Sequence, residues 1–137
     1  MIFVEVIPNL YFGNNKNVNV DSIVNCTKDL HFLGNYKEYN INIKDNLEKY
    51  EIVKMYEYLN ETVDFIYNNL MNNKSVLVYC ENGNQKSPTI VAAYLIKYGL
   101  INKNNAIKAI RSKYNTAFYP SINFEMSLEM FESKFLS

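Results

Sequence analysis

Residues 76–88 read VLVYCENGNQKSP, and the fold of the chain can be inferred outward from them. The first four, Val76–Tyr79, are β-branched, apolar or aromatic and are bounded by polar residues, a pattern typical of a short buried strand. Ser87 and Pro88 then indicate the start of a helix, because a proline in the first turn loses no intrahelical hydrogen bond. The apolar residues that follow predict that this helix continues to Gly99.

The loop between the predicted strand and helix begins at Cys80 and contains Asn82, Gly83 and Asn84. These residue types tolerate positive φ, so that successive backbone N–H groups can point into one concavity. Because the loop leads into a helix N-terminus, we expect it to stabilise negative charge on a bound phosphate and on a Cys80 thiolate. The alternative is a buried cysteine beside an ordinary strand-to-helix turn. The spacing of the glycine, the asparagines and the helix start favours the phosphate site.

This segment resembles the signature loop of the cysteine-dependent dual-specificity protein phosphatases, HCxxxxxRS. The cysteine, the glycine, the serine and the following helix are in register with that motif. Tyr79 stands where the motif has histidine, and Lys86 stands where it has the phosphate-binding arginine. The opening MIFVEVIPNLYFGN and the segment that begins YPSINF are also similar to the two ends of the family's domain. The resemblance therefore covers essentially the whole chain, residues 1–137.

The resemblance implies a mechanism and a set of site residues. Cys80 would attack phosphorus, Asp45 would protonate the leaving oxygen as general acid, and Ser87 would assist departure of the thiolate. Asp29 is a weaker candidate for the acid, and a solvent-exposed Asp45 without a catalytic role is the alternative. No metal or other cofactor is implied. Phosphate would be held by the loop residues Glu81, Asn82, Gly83, Asn84, Gln85 and Lys86.

The rest of the chain predicts one α/β domain, because 137 residues with 48% hydrophobic content suffice for one core. We expect a mixed, mostly parallel sheet of four or five strands flanked by helices on both faces, with the site at the carboxyl ends of the strands. Two short strands are predicted in residues 1–14. Further strands are predicted over Ser22–Thr27 and Tyr39–Ile43, and helices over Tyr50–Asn69, over Asn104–Tyr114 with Asn102 as its cap, and at the C-terminal end.

Charge and cysteine content limit the classes of partner. The formal net charge is zero, the pI is about 6.6 and no basic block occurs, so nothing indicates nucleic acid or an anionic membrane. Cys26 and Cys80, without a signal peptide, favour a reducing, cytoplasmic location over a disulfide framework. We expect Cys26 to be a small core residue and a Cys26–Cys80 redox pair to be the less favoured alternative. His31 is expected at the surface.

Three functions are compatible with these residues. The first is a slow dual-specificity phosphatase acting on a phosphorylated protein or peptide; by analogy, a shallow pocket would admit phosphoserine and phosphothreonine as well as phosphotyrosine. The second is a pseudophosphatase that binds phosphorylated partners without turnover, which Tyr79 and Lys86 favour. The third is a relative acting on RNA 5′-ends or phosphoinositides, and it ranks last because Lys86 is the only basic residue in the loop. The oligomeric state stays open.

Overall fold

The computed structural model describes residues 1–27, Phe32 and residues 36–136. The predictions for Asp29 and His31 lie outside the described residues. In chain order the elements are β1 (Phe3–Ile7), β2 (Leu10–Gly13), β3 (Ser22–Asn25), β4 (Lys37–Asn40), α1 (Lys49–Met71), β5 (Val76–Tyr79), α2 (Lys86–Gly99), α3 (Lys103–Lys113) and α4 (Glu125–Phe135).

The described strands form one sheet in the order β1-β2-β5-β3-β4. β1 is antiparallel to β2, whereas β2 with β5, β5 with β3, and β3 with β4 are parallel pairs. The prediction of a mixed, mostly parallel sheet is therefore confirmed. Because four neighbouring strands run in one direction, the segments that follow Gly13, Asn25, Asn40 and Tyr79 all leave the same edge of the sheet.

The four helices of the described residues pack on one face of the sheet. On that face their buried side chains contact Phe12, Val24 and Val78 in a single core. Alternate strand residues point to the other face, where Ile23, Leu77 and Tyr79 form a smaller cluster. In the described part of the chain, the residues packed against this cluster come from β2 and from loops rather than from helices, so the expectation of helices on both faces is not met there. These residues are Tyr11, Val18, Phe32 and Tyr36.

The structure corrects several predicted boundaries. β3 ends at Asn25 rather than at Thr27, α1 runs over Lys49–Met71 rather than Tyr50–Asn69, and α3 runs over Lys103–Lys113 rather than Asn104–Tyr114. The strand predicted over Tyr39–Ile43 is β4, Lys37–Asn40, and ends before Ile41 and Ile43. Both isoleucines are buried in the helical face of the core, and Ile41 N still donates to the Asn25 carbonyl at 3.0 Å, so the alternation continues beyond the end of the strand because of burial. The helix α2 begins at Lys86, one residue before the predicted start, and α3 begins after the Asn102 cap, whose side chain accepts from Asn105 N as predicted. None of the helices in the described residues is long and apolar enough to cross a bilayer.

The close packing of β1 on β2 gives a prediction at Gly13. This residue has a φ of +156°, and a Cβ added to it would lie 2.0 Å from the Ile2 carbonyl oxygen. We expect Gly13→Ala to lower the free energy of unfolding by about 1–3 kcal/mol or more, because the backbone of residue 2 must move. Gly99→Ala is the matched control: its Cβ would meet only Leu95 side-chain carbons at 3.8 Å and beyond, so we expect a gain of about 0.4–1 kcal/mol. Urea unfolding of both variants measures the difference, and a Gly13→Ala protein as stable as the unmodified one would contradict this account.

Candidate functional site

Cys80 follows directly on the central strand β5 and is fixed from both sides. Its backbone N–H donates to the Gly13 carbonyl over 3.2 Å, and the next bond of the ladder on the other side joins Cys26 N to the Tyr79 carbonyl at 2.9 Å. The Cys80 side chain is buried; its Sγ lies 3.1 Å from Ser87 Oγ and 3.4 Å from Ser87 N. The structure thus brings the predicted nucleophile and the predicted serine into direct contact at the first turn of α2.

The Cys80 loop (residues 80–86) has the conformation expected of an anion-binding nest. Gly83 has a φ of +66°, and a Cβ there would lie 3.1 Å from Asn14 N, so both the backbone conformation and the close contact favour glycine. Asn82 Oδ1 accepts from Asn84 N at 3.0 Å and closes the turn. Within the described residues, no acceptor is hydrogen-bonded to the backbone N–H groups of Glu81, Asn82, Gly83, Gln85 and Lys86. These donors are available to an anionic ligand.

Lys86 occupies an enclosed position and does not extend freely into the loop. Its side chain is 7% exposed, and Nζ donates to the Cys26 carbonyl at 2.9 Å and to the Ile43 carbonyl at 3.0 Å. Nζ also lies 2.9 Å from Oε2 of Glu81, whose side chain is 60% exposed. An ammonium group has three N–H donors, and these three acceptors satisfy them. Lys86 therefore ties the Cys80 loop to the end of β3 and to the segment that precedes Asp45.

The ion pair with Lys86 also determines where the Glu81 carboxylate lies. Its carboxylate is more than half exposed, as expected for a group that points to solvent, but it forms an ion pair with Lys86. Because Lys86 is the only basic residue in the loop, its charge is cancelled by that of Glu81. Any attraction for phosphate in this structure then comes mainly from the backbone N–H groups and the N-terminus of α2.

Asp45 lies in the Asp45 loop (residues 44–48), which connects Ile43 to α1. The loop is anchored where Lys44 N donates to Oε1 of the buried Glu51 at 2.9 Å. Asp45 is half-buried, and its Oδ1 accepts from Asn123 Nδ2 at 2.9 Å. The structure therefore joins the predicted acid to the Cys80 loop indirectly, through the Lys86–Ile43 contact on one side and through Asn123 on the other.

The sequence interpretation missed the part played by the Asn123 turn (residues 119–124). Gln85, predicted only as a phosphate-binding loop residue, buries its side chain against this turn: Nε2 donates to the Ser121 carbonyl at 2.7 Å, and Oε1 accepts from Asn123 N at 3.1 Å. Asn84 Nδ2 donates to the Tyr119 carbonyl at 2.9 Å. The signal in the sequence was limited to Pro120 and Ser121, which indicate a turn before the last helix. Gln85 keeps its backbone N–H available, while its side chain holds the Asn123 turn.

Tyr79 and Cys26 differ from Cys80 in orientation and chemistry. The Tyr79 ring lies on the opposite face of the sheet, 5.0 Å from the Phe32 ring in an edge-to-face contact. Burial raises the pKa of the Tyr79 phenol, so it stays neutral at physiological pH.

Cys26 is a free, fully buried thiol in the helical core, as expected. Burial, with a further contribution from Cys80, raises the pKa of the Cys26 thiol well above its usual value, which makes it a poor nucleophile.

The buried ammonium gives a prediction on stability. We expect Lys86→Met to lower the free energy of unfolding by about 1–3 kcal/mol, because the Cys26 and Ile43 carbonyls lose their shared donor in a buried place. Lys108→Met is the matched control, since Lys108 is exposed on α3. Denaturant unfolding of both variants at neutral pH tests the role. Equal stabilities of the two would mean that the Lys86 contacts add nothing to the fold.

The comparison with protein families agrees with this geometry. The model of the family described as "Dual specificity phosphatase, catalytic domain" matches residues 3–134. Among curated proteins, "Putative tyrosine phosphatase 123R" of Invertebrate iridescent virus 6 is 28% identical over 134 residues, which cover 93% of this chain and 90% of that protein. Dual specificity protein phosphatase 1 of Homo sapiens is 27% identical over 145 residues, covering 98% of this chain but only 38% of the human protein.

Solved structures agree on the fold. The crystal structure of human DUSP28 superposes with a TM-score of 0.83 at 19% sequence identity, covering 100% of this chain and 97% of that one. At this identity the likeness concerns the fold, namely the five-stranded mixed sheet and the helices packed on it.

Proposed function

Because the chain belongs to the family of dual specificity phosphatase catalytic domains, we propose that it is a protein phosphatase. It would hydrolyse phosphate monoesters on proteins through a covalent intermediate on Cys80. The observation that carries this proposal is the contact of Cys80 Sγ with Ser87 Oγ at 3.1 Å and with Ser87 N at 3.4 Å, at the bottom of a loop with five available N–H donors. Such a cradle stabilises a thiolate and a phosphate alike.

In the first step the Cys80 thiolate attacks phosphorus in line with the leaving oxygen. The sulfur–phosphorus bond forms as the phosphorus–oxygen bond breaks, and Asp45 donates its proton to the departing oxygen. The backbone N–H groups of the Cys80 loop donate to the equatorial phosphate oxygens, where charge collects in the transition state. The products are the dephosphorylated side chain and a cysteinyl-phosphate.

In the second step water attacks phosphorus and the sulfur–phosphorus bond breaks. Asp45, now a carboxylate, accepts the proton of the water as general base. Ser87 Oγ, already 3.1 Å from Sγ, donates to the leaving thiolate and so lowers the cost of its departure. Inorganic phosphate is released, and both residues return to their starting states. We propose phosphotyrosine together with phosphoserine and phosphothreonine as substrates and the cytoplasm as the location.

We propose further that turnover is slow, because Lys86 cannot bind the neighbouring carbonyls and the phosphate at the same time, as an arginine could. A guanidinium has five donors in a planar fork, so some can bind neighbouring carbonyls while others grip phosphate. The Lys86 ammonium has three donors and directs them to Cys26, Ile43 and Glu81. Loss of one transition-state contact of this kind typically reduces the rate by roughly 10² to 10³.

The same observation favours a second candidate, a pseudophosphatase that binds a phosphorylated partner without turnover. An ammonium already bound by three acceptors leaves ground-state phosphate binding to the backbone N–H groups, and such binding needs no transition-state contact. In this reading Asp45 has no proton to transfer and Lys86 is purely structural.

Hydrolysis of para-nitrophenyl phosphate separates the two candidates. We expect wild-type turnover above that of Cys80→Ser, and we expect Lys86→Arg to raise kcat by at least about tenfold, since its additional N–H groups can reach phosphate. Lys108→Arg, at an exposed site, is the matched control and should leave kcat unchanged.

A second measurement tests the pseudophosphatase candidate. Calorimetric titration of Cys80→Ser with a phosphotyrosine peptide measures binding in the absence of hydrolysis. Binding without turnover in either the wild type or Lys86→Arg would overturn the enzyme proposal and support the pseudophosphatase. Absence of both binding and turnover would overturn both candidates.

A further inference from the structure

Asn123 makes the one side-chain contact to the Asp45 carboxylate found among the described residues. Its Nδ2 donates to Asp45 Oδ1 at 2.9 Å, across 78 positions of sequence. A carboxyl group that must transfer a proton to a leaving oxygen has to be held within hydrogen-bonding reach of that oxygen. Since Oδ1 is bound to Asn123, Oδ2 is the atom left to face a substrate.

The orientation of the Asn123 amide is itself determined. Ser121 Oγ donates to Asn123 Oδ1 at 2.8 Å. With Oδ1 bound to that hydroxyl, Nδ2 is the atom that meets the carboxylate; the flipped amide would set two oxygen acceptors against each other at Asp45. The acceptor-only carboxylate sets which amide atom faces it, and the hydrogen bond from Ser121 holds the amide in that orientation.

The Asn123 turn is attached in turn to the Cys80 loop. The buried Gln85 side chain accepts from Asn123 N at 3.1 Å and donates to the Ser121 carbonyl at 2.7 Å, and Gln85 is the residue that immediately precedes α2. A continuous path of hydrogen bonds thus runs from the base of the Cys80 loop through Gln85 and Asn123 to Asp45. The Cys80 loop and the Asp45 loop, which are far apart in sequence, are thus both hydrogen-bonded to the Asn123 turn, which fixes their separation.

We propose that Asn123 is a positioning residue that holds the Asp45 carboxyl group in register with the Cys80 loop, and that Ser121 orients it for this task. The inference rests on the proposed function, because it requires Asp45 to act as the proton donor. Asn123 itself does not touch the substrate; it acts through Asp45. Its loss should slow only the steps that need proton transfer.

Leaving-group dependence distinguishes positioning from a structural role. Phenyl phosphate releases a phenol with a pKa of about 10, comparable to that of tyrosine, and needs protonation of the leaving oxygen, whereas para-nitrophenyl phosphate releases a much weaker base that leaves with little help. We expect Asn123→Ala to lower kcat/KM, which reports only the first step, by about tenfold to one-hundredfold for phenyl phosphate and by less than about threefold for para-nitrophenyl phosphate. Asn104→Ala, at an exposed site on α3, is the matched control and should change neither.

A double-mutant cycle and a second site complete the test. In the Asp45→Asn background, Asn123→Ala should cause no further loss, because there is no proton donor left to position. Ser121→Ala should reproduce the leaving-group pattern of Asn123→Ala in weaker form, and Ser121→Thr, which keeps the hydroxyl, should restore wild-type rates. Ser121 is exposed, so this pair keeps the test available if Asn123→Ala fails to fold.

The outcomes separate this inference from the proposed function. If Asp45→Asn shows the leaving-group dependence but Asn123→Ala and Ser121→Ala lower kcat/KM equally for both substrates, Asn123 is structural and the inference alone is overturned. Additive losses in the double mutant overturn it as well. If the wild type does not turn over, or Asp45→Asn leaves phenyl phosphate hydrolysis unchanged, the acid role proposed for Asp45 fails, and the positioning role fails with it.

Discussion

The site depends on the pairing of β5 with a parallel strand on each side. Val76–Tyr79 is hydrogen-bonded to β2 and to β3, so Cys80 leaves the sheet at a point that two neighbouring strands fix. A cysteine at the end of an edge strand would be held from one side only. Here the ladder continues to the loop itself through Cys80 N and the Gly13 carbonyl. The fully buried strand, with helices on one face and the Tyr79 cluster on the other, makes this position rigid.

Around this fixed point the loops are joined by polar contacts. Lys86 joins the Cys80 loop to the carbonyls of Cys26 and Ile43, and Gln85 joins it to the Asn123 turn. The Lys86 contacts are buried and the Gln85 contact is partly buried, and each satisfies a backbone carbonyl in a loop near the carboxyl ends of the strands. The residues that connect the loops to one another are thus part of the stability of the domain. Folding and preorganisation of the site draw on the same hydrogen bonds.

The local features of the site could be predicted from sequence, and the long-range ones could not. The strand, the loop and the helix around Cys80 follow from residue types within a single segment of the chain, so β5, the positive φ of Gly83 and nearly the whole of α2 were predictable. The end of β4 was not, because the buried Ile41 and Ile43 continue the alternation beyond Asn40, and Ile41 N still donates to the Asn25 carbonyl. The Asp45–Asn123 contact joins residues 78 positions apart, and no local pattern encodes it.

The hydrogen-bond partners of the Lys86 side chain could not be predicted from sequence for a related reason. Its partners at Cys26 and Ile43 are backbone carbonyls, which every residue carries, so the sequence gives no sign of which ones will accept. In register with the family motif, Lys86 suggested a phosphate ligand. In the fold it is enclosed, and an enclosed ammonium must find acceptors for all three protons or incur a large desolvation cost. Glu81 supplies the third acceptor and neutralises the charge. Lys86 thus stands where the family motif has arginine, and its three donors are directed to acceptors within the protein.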